Sequence, residues 1–582
     1  MKFDFSIRIA GEAGQGIQTV GSLLCSLVKN CGYEFFAHQD YMSRVRGGNN
    51  FYQVRICSER ILACREKIHV LAALSAESVA LHRTFLTENG QILLDQDHFN
   101  ISDHHPSFVN VPFHEIATRL GGNAHYVDSV AFGAVAGMFA FTIDIVKSVV
   151  QKEFASRGKE IADKNLDCVR SGYEIGRNHS FVTLPKSVPS LRPRLMIDGN
   201  EAIALGAVYA GCRFYSGYPM TPSTTIMETM ALLSSDGPIV VEQAEDEIAA
   251  INMVIGASYA GVRAMTGTSG GGFCLMTEGL SLAAMLETPV VIILGQRPAP
   301  ATGLPTRTEQ SDLDLAIFAG HGEFARVVYT PGSLEEAFEL TVKAFDVSDR
   351  FQVPAIILTD QYLADVVKTV DGFKTTGLTR TRHVLSRKDS MRYETYKRYA
   401  DTQSGVTPRA VPSWIADVIY ADSDEHTEEG HITENPDTRT MMVNKRFLKK
   451  MSSLRSDVIA PVAVHSDNAR FLLLGFGSTQ GIIEEICESP DFHDFGGIHF
   501  PQVWPFPTEA LDSLLKKLPL AFLITVENNA GAQLAYLIKR ETTAHISHSI
   551  LKYDGRPFTV EELSQQLKNF RNNNGRANLQ HI

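Results

Sequence analysis

Cysteine is sparse in this chain and never clustered. The eight cysteines among 582 residues (Cys25, Cys31, Cys57, Cys64, Cys168, Cys212, Cys274, Cys487) include no C-x-x-C pair, which excludes an iron–sulfur cluster or structural zinc held by this chain alone. Basic residues are also in deficit, 54 against 66 acidic, for a formal charge of −12. A general nucleic-acid surface, which needs excess Lys and Arg to displace counterions, is thereby excluded. No apolar run reaches the roughly 18–20 residues that span a bilayer, and the opening MKFDFSIRIAGEAGQG reads as a strand and glycine loop, not a cleavable signal. A reducing cytoplasm is the expected compartment.

What remains is ordinary globular composition, 44% hydrophobic and 21% charged, in a chain long enough for several cores. The expected class is multi-domain α/β. Residues 1–185 form a first unit: alternating Phe5 to Ile9, the loop GEAGQG from Gly11 to Gly16, then a helical pattern through Val20, Leu23, Leu24 and Leu27. Small apolar residues from Ser129 to Ala140 suggest tight packing. Proline-rich residues 186–194 read as a linker. Residues 195–371 alternate strands (Ile239 to Val241, Ala264 to Thr268, Val290 to Leu294, Ala355 to Leu358) with helices (Glu245 to Ala260, Leu275 to Leu286), which implies a parallel sheet with ligands beyond its strand ends. Residues 372–456 are polar and charged and read as a solvated connector. Residues 457–582 resume a small α/β pattern, with strands at Phe471 to Gly475 and Ala521 to Val526.

The chemistry-bearing stretch runs from Tyr218 to Gln310. Two X-Pro steps, Tyr218-Pro219 and Thr221-Pro222, fix an extended turn that can present the Thr221 hydroxyl, although helix capping by Ser223 or Thr224 accounts equally well for hydroxyls here. Glu245, Asp246 and Glu247 fall in the first turn of a predicted helix, where the macrodipole alone accounts for at least two of them. Ser269, Gly270 and Phe273 belong to TSGGGF, a strand-to-helix turn whose amides can face an anion or a cofactor ring. Arg297 follows an apolar strand, at the sheet edge where a guanidinium can grip a carboxylate, with a surface salt bridge as the competing reading and Thr302 five residues on.

Four motifs in order, YPMTPS, the E-D-E helix, T-S-G-x-G-F and R-x-x-P-x-T-G-L-P-T-x-T-E-Q-x-D-L, resemble the α subunits of 2-oxoacid:ferredoxin oxidoreductases. GEAGQGIQTVG and YMSRVRGGNNFYQVRI are similar to that family's γ module, fused ahead, and VENNAGAQLA and YDGRPFT to its carboxyl-terminal domain. The resemblance implies a pyrimidine-type domain of a thiamine diphosphate enzyme, an N-terminal γ-type domain and a transketolase C-terminal-like domain. Glu247 matches the carboxylate that bonds the cofactor's aminopyrimidine, with Glu245 the competing choice. Thr221 matches a threonine facing substrate and cofactor, and Arg297 and Thr302 match the pair holding the oxoacid's carboxylate and 2-oxo group beside Tyr218. Gly14, Gln15, Gly16 and Arg46 (in Arg46-Gly47-Gly48-Asn49) are candidates for coenzyme A phosphates, with a merely structural turn an equal reading of the glycine loop. The reverse glycine spacing, Gly11, Gly14, Gly16, argues against a nicotinamide dinucleotide fingerprint.

No G-D-G…N signature for magnesium and diphosphate is present, so the resemblance assigns Mg²⁺, a [4Fe–4S] cluster and the rest of the cofactor site to a β subunit, in an (αβ)₂ heterotetramer that reduces ferredoxin. The expected substrate is 2-oxoglutarate, with branched-chain oxoacids or pyruvate as alternatives and a non-catalytic scaffold as the rival of another class. Gly271 and Ala301 stand where the family often has proline and serine.

Overall fold

The computed structural model describes residues 3–43, 48–185, 194–467, 469–518 and 521–577. Arg46 and most of the expected linker lie outside them. The chain divides into two units, residues 1–197, 366–372 and 558–582 in one and residues 198–365 and 373–557 in the other. The expected boundaries differ from this division: a short strand, Val367–Val370, and the helix Val560–Ala577 belong with the first unit. Among the described residues no helix is long and apolar enough to cross a membrane.

The first unit is built on an eight-stranded sheet. Its opening strand, Asp4–Glu12, pairs in parallel with Ile68–Ala73 and antiparallel with Asn49–Cys57. Ile7 and Ile9 point into a core shared with the helix Ile17–Asn30, as period-two alternation requires. The small-residue stretch forms the helix Val127–Met138, which packs on Lys159–Asn178 so closely that a Cβ on Gly172 would lie 2.1 Å from the Val130 carbonyl and one on Gly176 2.0 Å from that of Ala134. Only glycine permits this approach.

The second unit holds a seven-stranded sheet in the spatial order Gln502–Trp504, Val327–Tyr329, Pro354–Asp360, Val290–Gln296, Ala264–Ser269, Phe214–Gly217, Val240–Gln243. All pairs are parallel except the outermost, Val327–Tyr329 with Gln502–Trp504. From Phe214–Gly217 the chain goes outward to Val240–Gln243, then crosses back to Ala264–Ser269 on the other side. The order therefore reverses at Phe214–Gly217, and the crevice beyond its carboxyl end is where such sheets bind ligands. A five-stranded sheet, with Phe471–Phe476 and Phe522–Glu527 at its centre, forms the carboxyl-terminal domain of this unit.

Residues 373–456 correct the expectation of a solvated connector in part: much of their surface is exposed, but several of their charged side chains are not. They are irregular up to residue 435 apart from the short helix Arg387–Ser390, then helical from Pro436 to Arg455, and they deliver buried cations onto the seven-stranded domain. Arg409 meets Asp349 at 2.8 Å, where Arg263 of the sheet domain also ends at 3.3 Å, and Lys445 and Lys450 meet the fully buried Glu287 at 2.5 and 2.6 Å. Burial alone would raise the Glu287 acid, but the two lysines hold it well below the usual carboxylate range. Arg398 adds hydrogen bonds to the Glu287 carbonyl and the Gln352 side chain. Such pairs are strongly destabilising to break, because one member is then left charged and dry.

Candidate active site

Four segments converge at the reversal point of the seven-stranded sheet. The first, Tyr218 to Ser223, leaves the strand Phe214–Gly217. Pro222 packs on the strand Val290–Gln296, where a Cβ on Gly295 would come within 2.7 Å of the proline ring. Asn200 fixes the turn by donating to the Pro222 carbonyl at 2.7 Å. Ser223 occupies the N-cap position of Thr224–Ser234 but does not cap with its side chain; its hydroxyl donates to the Met220 carbonyl at 2.9 Å. Capping therefore does not account for this motif. Tyr218 is 40% exposed.

The second segment is the helix Glu247–Tyr259. Asp246, not a residue of the first turn, is its N-cap, with its carboxylate accepting from Ala249 N at 2.8 Å. That register separates the acidic triplet: Glu245 precedes the helix and is exposed, whereas Glu247 is 3% exposed. The Glu247 Oε1 atom has no hydrogen-bond partner.

The third segment is the turn from Ala264–Ser269 into the helix Gly270–Leu275. The helix expected from Leu275 to Leu286 is present as Thr277–Met285, and a short helix not expected, Gly270–Leu275, precedes it because the glycines at the strand end enter helical conformation at once. A Cβ on Gly272 would lie 2.1 Å from Thr268 Oγ1 and 2.6 Å from Glu247 Oε1, so the bare glycine leaves room for both oxygens. Ser269 and Gly270 lie at this turn as expected. Phe273 is fully buried in the hydrophobic core at the same turn.

The fourth segment carries Arg297. Its Nη1 donates to the Thr221 carbonyl at 2.9 Å, which joins the first and fourth segments, and burial pulls its pKa down while Asp312 opposes that shift. Thr302 sits on the exposed tip that follows, beside Ala301, which has a positive φ of 54°. Asp312 was not among the expected site residues. It stands at the N-cap position of Leu313–Phe318 and so reads as a cap, yet its side chain caps nothing. Instead its amide is held by Gln296 Oε1 at 3.0 Å, and its carboxylate lies against Gly270, whose Cβ would meet Asp312 Oδ2 at 2.4 Å. Burial and nearby Glu309 raise this acid to about 6, against the pull of Arg297. Its sequence signal, the Asp next to last in the Arg297 motif, is indistinguishable from a capping residue in the sequence alone.

Glu247 Oε1, Thr268 Oγ1, Ser269 Oγ and Asp312 Oδ2 are thus buried oxygens without partners around one turn. Each unsatisfied buried polar group costs about 1–3 kcal/mol, and four together mark a place built for a polar ligand.

In the first unit, Gly14 and Gly16 adopt positive φ before the helix Ile17–Asn30. The Gln15 side chain folds back to accept from Glu12 N at 2.7 Å, and Asp128 presses on Gly16, where a Cβ would meet its carboxylate at 2.7 Å. Gln15 is thus occupied as a brace, and Asp128, raised to about 6 by burial, puts an acid where a phosphate was expected.

The chain matches the family described as pyruvate flavodoxin/ferredoxin oxidoreductase, thiamine diP-bdg over residues 205–445, and pyruvate ferredoxin/flavodoxin oxidoreductase over residues 6–175. It is 32% identical to the 2-oxoacid:ferredoxin oxidoreductase subunit alpha of Sulfolobus sp, covering 96% of both chains. The chain belongs to this family of oxidoreductase alpha subunits. It is also 33% identical, over 59% of its length and 90% of the relative's, to the 2-oxoglutarate synthase subunit KorA of Methanothermobacter marburgensis. Among solved structures it matches the 2-oxoglutarate:ferredoxin oxidoreductase from Magnetococcus marinus with 2-oxoglutarate, coenzyme A and succinyl-CoA bound, with a TM-score of 0.89, 28% identity, and coverage of 97% of this chain and 99% of that one. As a 2-oxoacid:ferredoxin oxidoreductase subunit, the chain is part of an enzyme, and the four segments lie within or beside the region matched to thiamine diphosphate binding.

Proposed function

We propose that the chain is the α subunit of a CoA-acylating 2-oxoglutarate:ferredoxin oxidoreductase whose cofactor site is completed by a β subunit. The reaction balances as 2-oxoglutarate plus coenzyme A giving succinyl-CoA, CO₂, one proton and two electrons, the electrons passing singly through a β-subunit [4Fe–4S] cluster to ferredoxin. Mg²⁺ and the diphosphate of the cofactor belong to the β subunit, in an (αβ)₂ assembly of the cytoplasm. The 2-oxoglutarate reading is supported by the names of the relatives and by the ligands of the Magnetococcus marinus structure.

The observation that carries the reading is Glu247, a buried carboxylate with a partnerless oxygen opposite a glycine. The cofactor's aminopyrimidine, with ring nitrogens and an amine, fits that donor deficit. When bound, thiamine diphosphate supplies the carbon nucleophile and the electron sink that let a 2-oxoacid lose CO₂. Glu247 would hold the ring and keep a proton on its nitrogen, which sets the basicity of the amine across the ring. Thr268 and Ser269 offer hydroxyls at the same turn. Arg297, steadied by the Thr221 carbonyl, presents its remaining N–H groups to the substrate carboxylate, and Thr302 adds a hydroxyl, so that the leaving CO₂ departs from one fixed orientation.

The test is anaerobic co-expression with the neighbouring β-type gene, followed by CoA-dependent viologen reduction across several 2-oxoacids. Highest kcat/KM with 2-oxoglutarate is expected. A preference for pyruvate or a branched-chain oxoacid would refute the substrate, and no turnover with any oxoacid in a complex holding cofactor and cluster would refute the enzymatic reading.

A further inference from the structure

The motif Val526 to Ala535 plays no part in the chemistry above, yet its polar groups are spent on the substrate-binding loop. It begins at the end of the strand Phe522–Glu527, where the fully buried Glu527 carboxylate accepts from Leu534 N at 2.8 Å, Ala535 N at 3.1 Å and Asn529 Nδ2 at 3.0 Å. These bonds tie the turn into one shape and leave its outer face to grip a neighbour.

That neighbour is the segment between Thr308 and Asp314, downstream of Arg297 and Thr302. Gln310 N donates to the Asn528 carbonyl at 2.7 Å, and Asn528 N donates to Gln310 Oε1 at 3.1 Å. Gln533 spans a longer reach, its Nε2 donating to the Ser311 carbonyl at 2.8 Å and its Oε1 accepting from Asp314 N at 3.1 Å. Gln310 Nε2 completes the anchor with the Phe476 carbonyl at 2.8 Å. The opposite end of the loop behaves differently: residues 299–304 are exposed. Arg297 sits at the end of a sheet strand, Thr302 rides the exposed tip, and the carboxyl-terminal domain holds the returning limb.

We propose that the turn Asn528 to Gln533 is a clamp that sets the position of this loop, which makes Gln310 and Gln533 positioning residues for capture of the 2-oxoacid. The proposal rests on the reading of Arg297 and Thr302 as substrate contacts. Positioning is a strong lever, since a displacement of about 1 Å in a binding group costs as much as 10²-fold. A merely cohesive contact between the two sheets would instead move stability and leave substrate affinity alone.

The experiment uses the α–β complex. Gln533→Ala removes two hydrogen bonds at a half-buried site; Gln310→Ala removes the buried anchor. Each should raise the oxoacid KM by roughly tenfold with kcat and the ferredoxin KM within about twofold. Hydrogen–deuterium exchange across residues 299–314 should quicken, and Gln533→Glu, which keeps the acceptor but not the donor, should fall between wild type and Gln533→Ala. Arg297→Ala is measured alongside. An unmoved oxoacid KM in Arg297→Ala overturns the site reading on which the clamp rests. A raised KM there, with Gln533→Ala and Gln310→Ala both within about twofold of wild type or shifting the ferredoxin KM equally, overturns the clamp alone.

Discussion

Glu245 and Glu247 stand two residues apart and meet opposite environments, one in solvent and one 3% exposed beneath a glycine turn. On this footing Glu247→Gln in the α–β complex should cut turnover by about 10²–10⁴-fold while Glu245→Gln leaves it near wild type, as read by steady-state viologen reduction. The reverse ranking would reassign the role. Asp312 carries a second prediction at this scale. Burial raises it from 3.8 to about 6, so the folded chain binds its proton more tightly than the unfolded chain does. The stabilisation from the neutral acid is complete below pH of about 4 and is lost as pH climbs to about 6, a loss on the order of 2–3 kcal/mol. Asp312→Asn, neutral at every pH, should therefore melt higher than wild type at pH 8 and match it at pH 4. An equal difference at both pH values would show that the acid is not the cause. The resemblance alone put Glu247 ahead of Glu245, and nothing in the sequence singled out Asp312. Choosing between the glutamates needed the helix register that Asp246 sets by capping, and Asp312 sits where a cap belongs.

Strand, turn and helix were legible where one element buries one pattern. The strand at Val290, the glycine turn after Thr268 and the helix after Gly16 all lie where apolar period and turn residues place them. Contacts through space were not legible, and the three adjacent glycines of TSGGGF show why. Gly270, Gly271 and Gly272 are identical in sequence, yet a Cβ on Gly272 would strike Thr268 and Glu247, whereas one on Gly271 would meet only the Ala301 carbonyl at 4.0 Å. Gly272→Ala should thus displace Glu247 and lower turnover by roughly 10²-fold with far-UV circular dichroism unchanged, while Gly271→Ala should stay within about twofold. Comparable losses in both variants would mean that backbone freedom, not the space beside Glu247, is what the turn requires.

At the scale of the whole second unit, the charged stretch from residue 373 to 456 reads as a solvated connector in sequence, and in three dimensions it keeps a largely exposed surface while sending individual cations into the packed interior. Its cations find partners some 60 to 160 residues away, Arg409 on Asp349 and Lys445 on Glu287, and no local pattern announces such pairs. Glu287 is the keystone, since both Lys445 and Lys450 end on its carboxylate and neither the acid nor the lysines are exposed by more than 1%. Replacing the acid leaves two dry ammonium groups facing an amide, so Glu287→Gln should destabilise the unit by roughly 3–5 kcal/mol. Replacing all three members with methionine removes the charges together and should recover most of that loss, because a buried ion cluster exchanged for apolar volume is often neutral or better. The chain's two tryptophans make the measurement direct: Trp414 lies within the stretch and Trp504 in the edge strand Gln502–Trp504. In a Trp504→Phe background, the urea midpoint followed by Trp414 fluorescence should fall in Glu287→Gln and return in the triple methionine variant. A triple variant that unfolds as early as the single one would mean that the cluster stabilises by attraction and not merely by avoiding an unpaired charge.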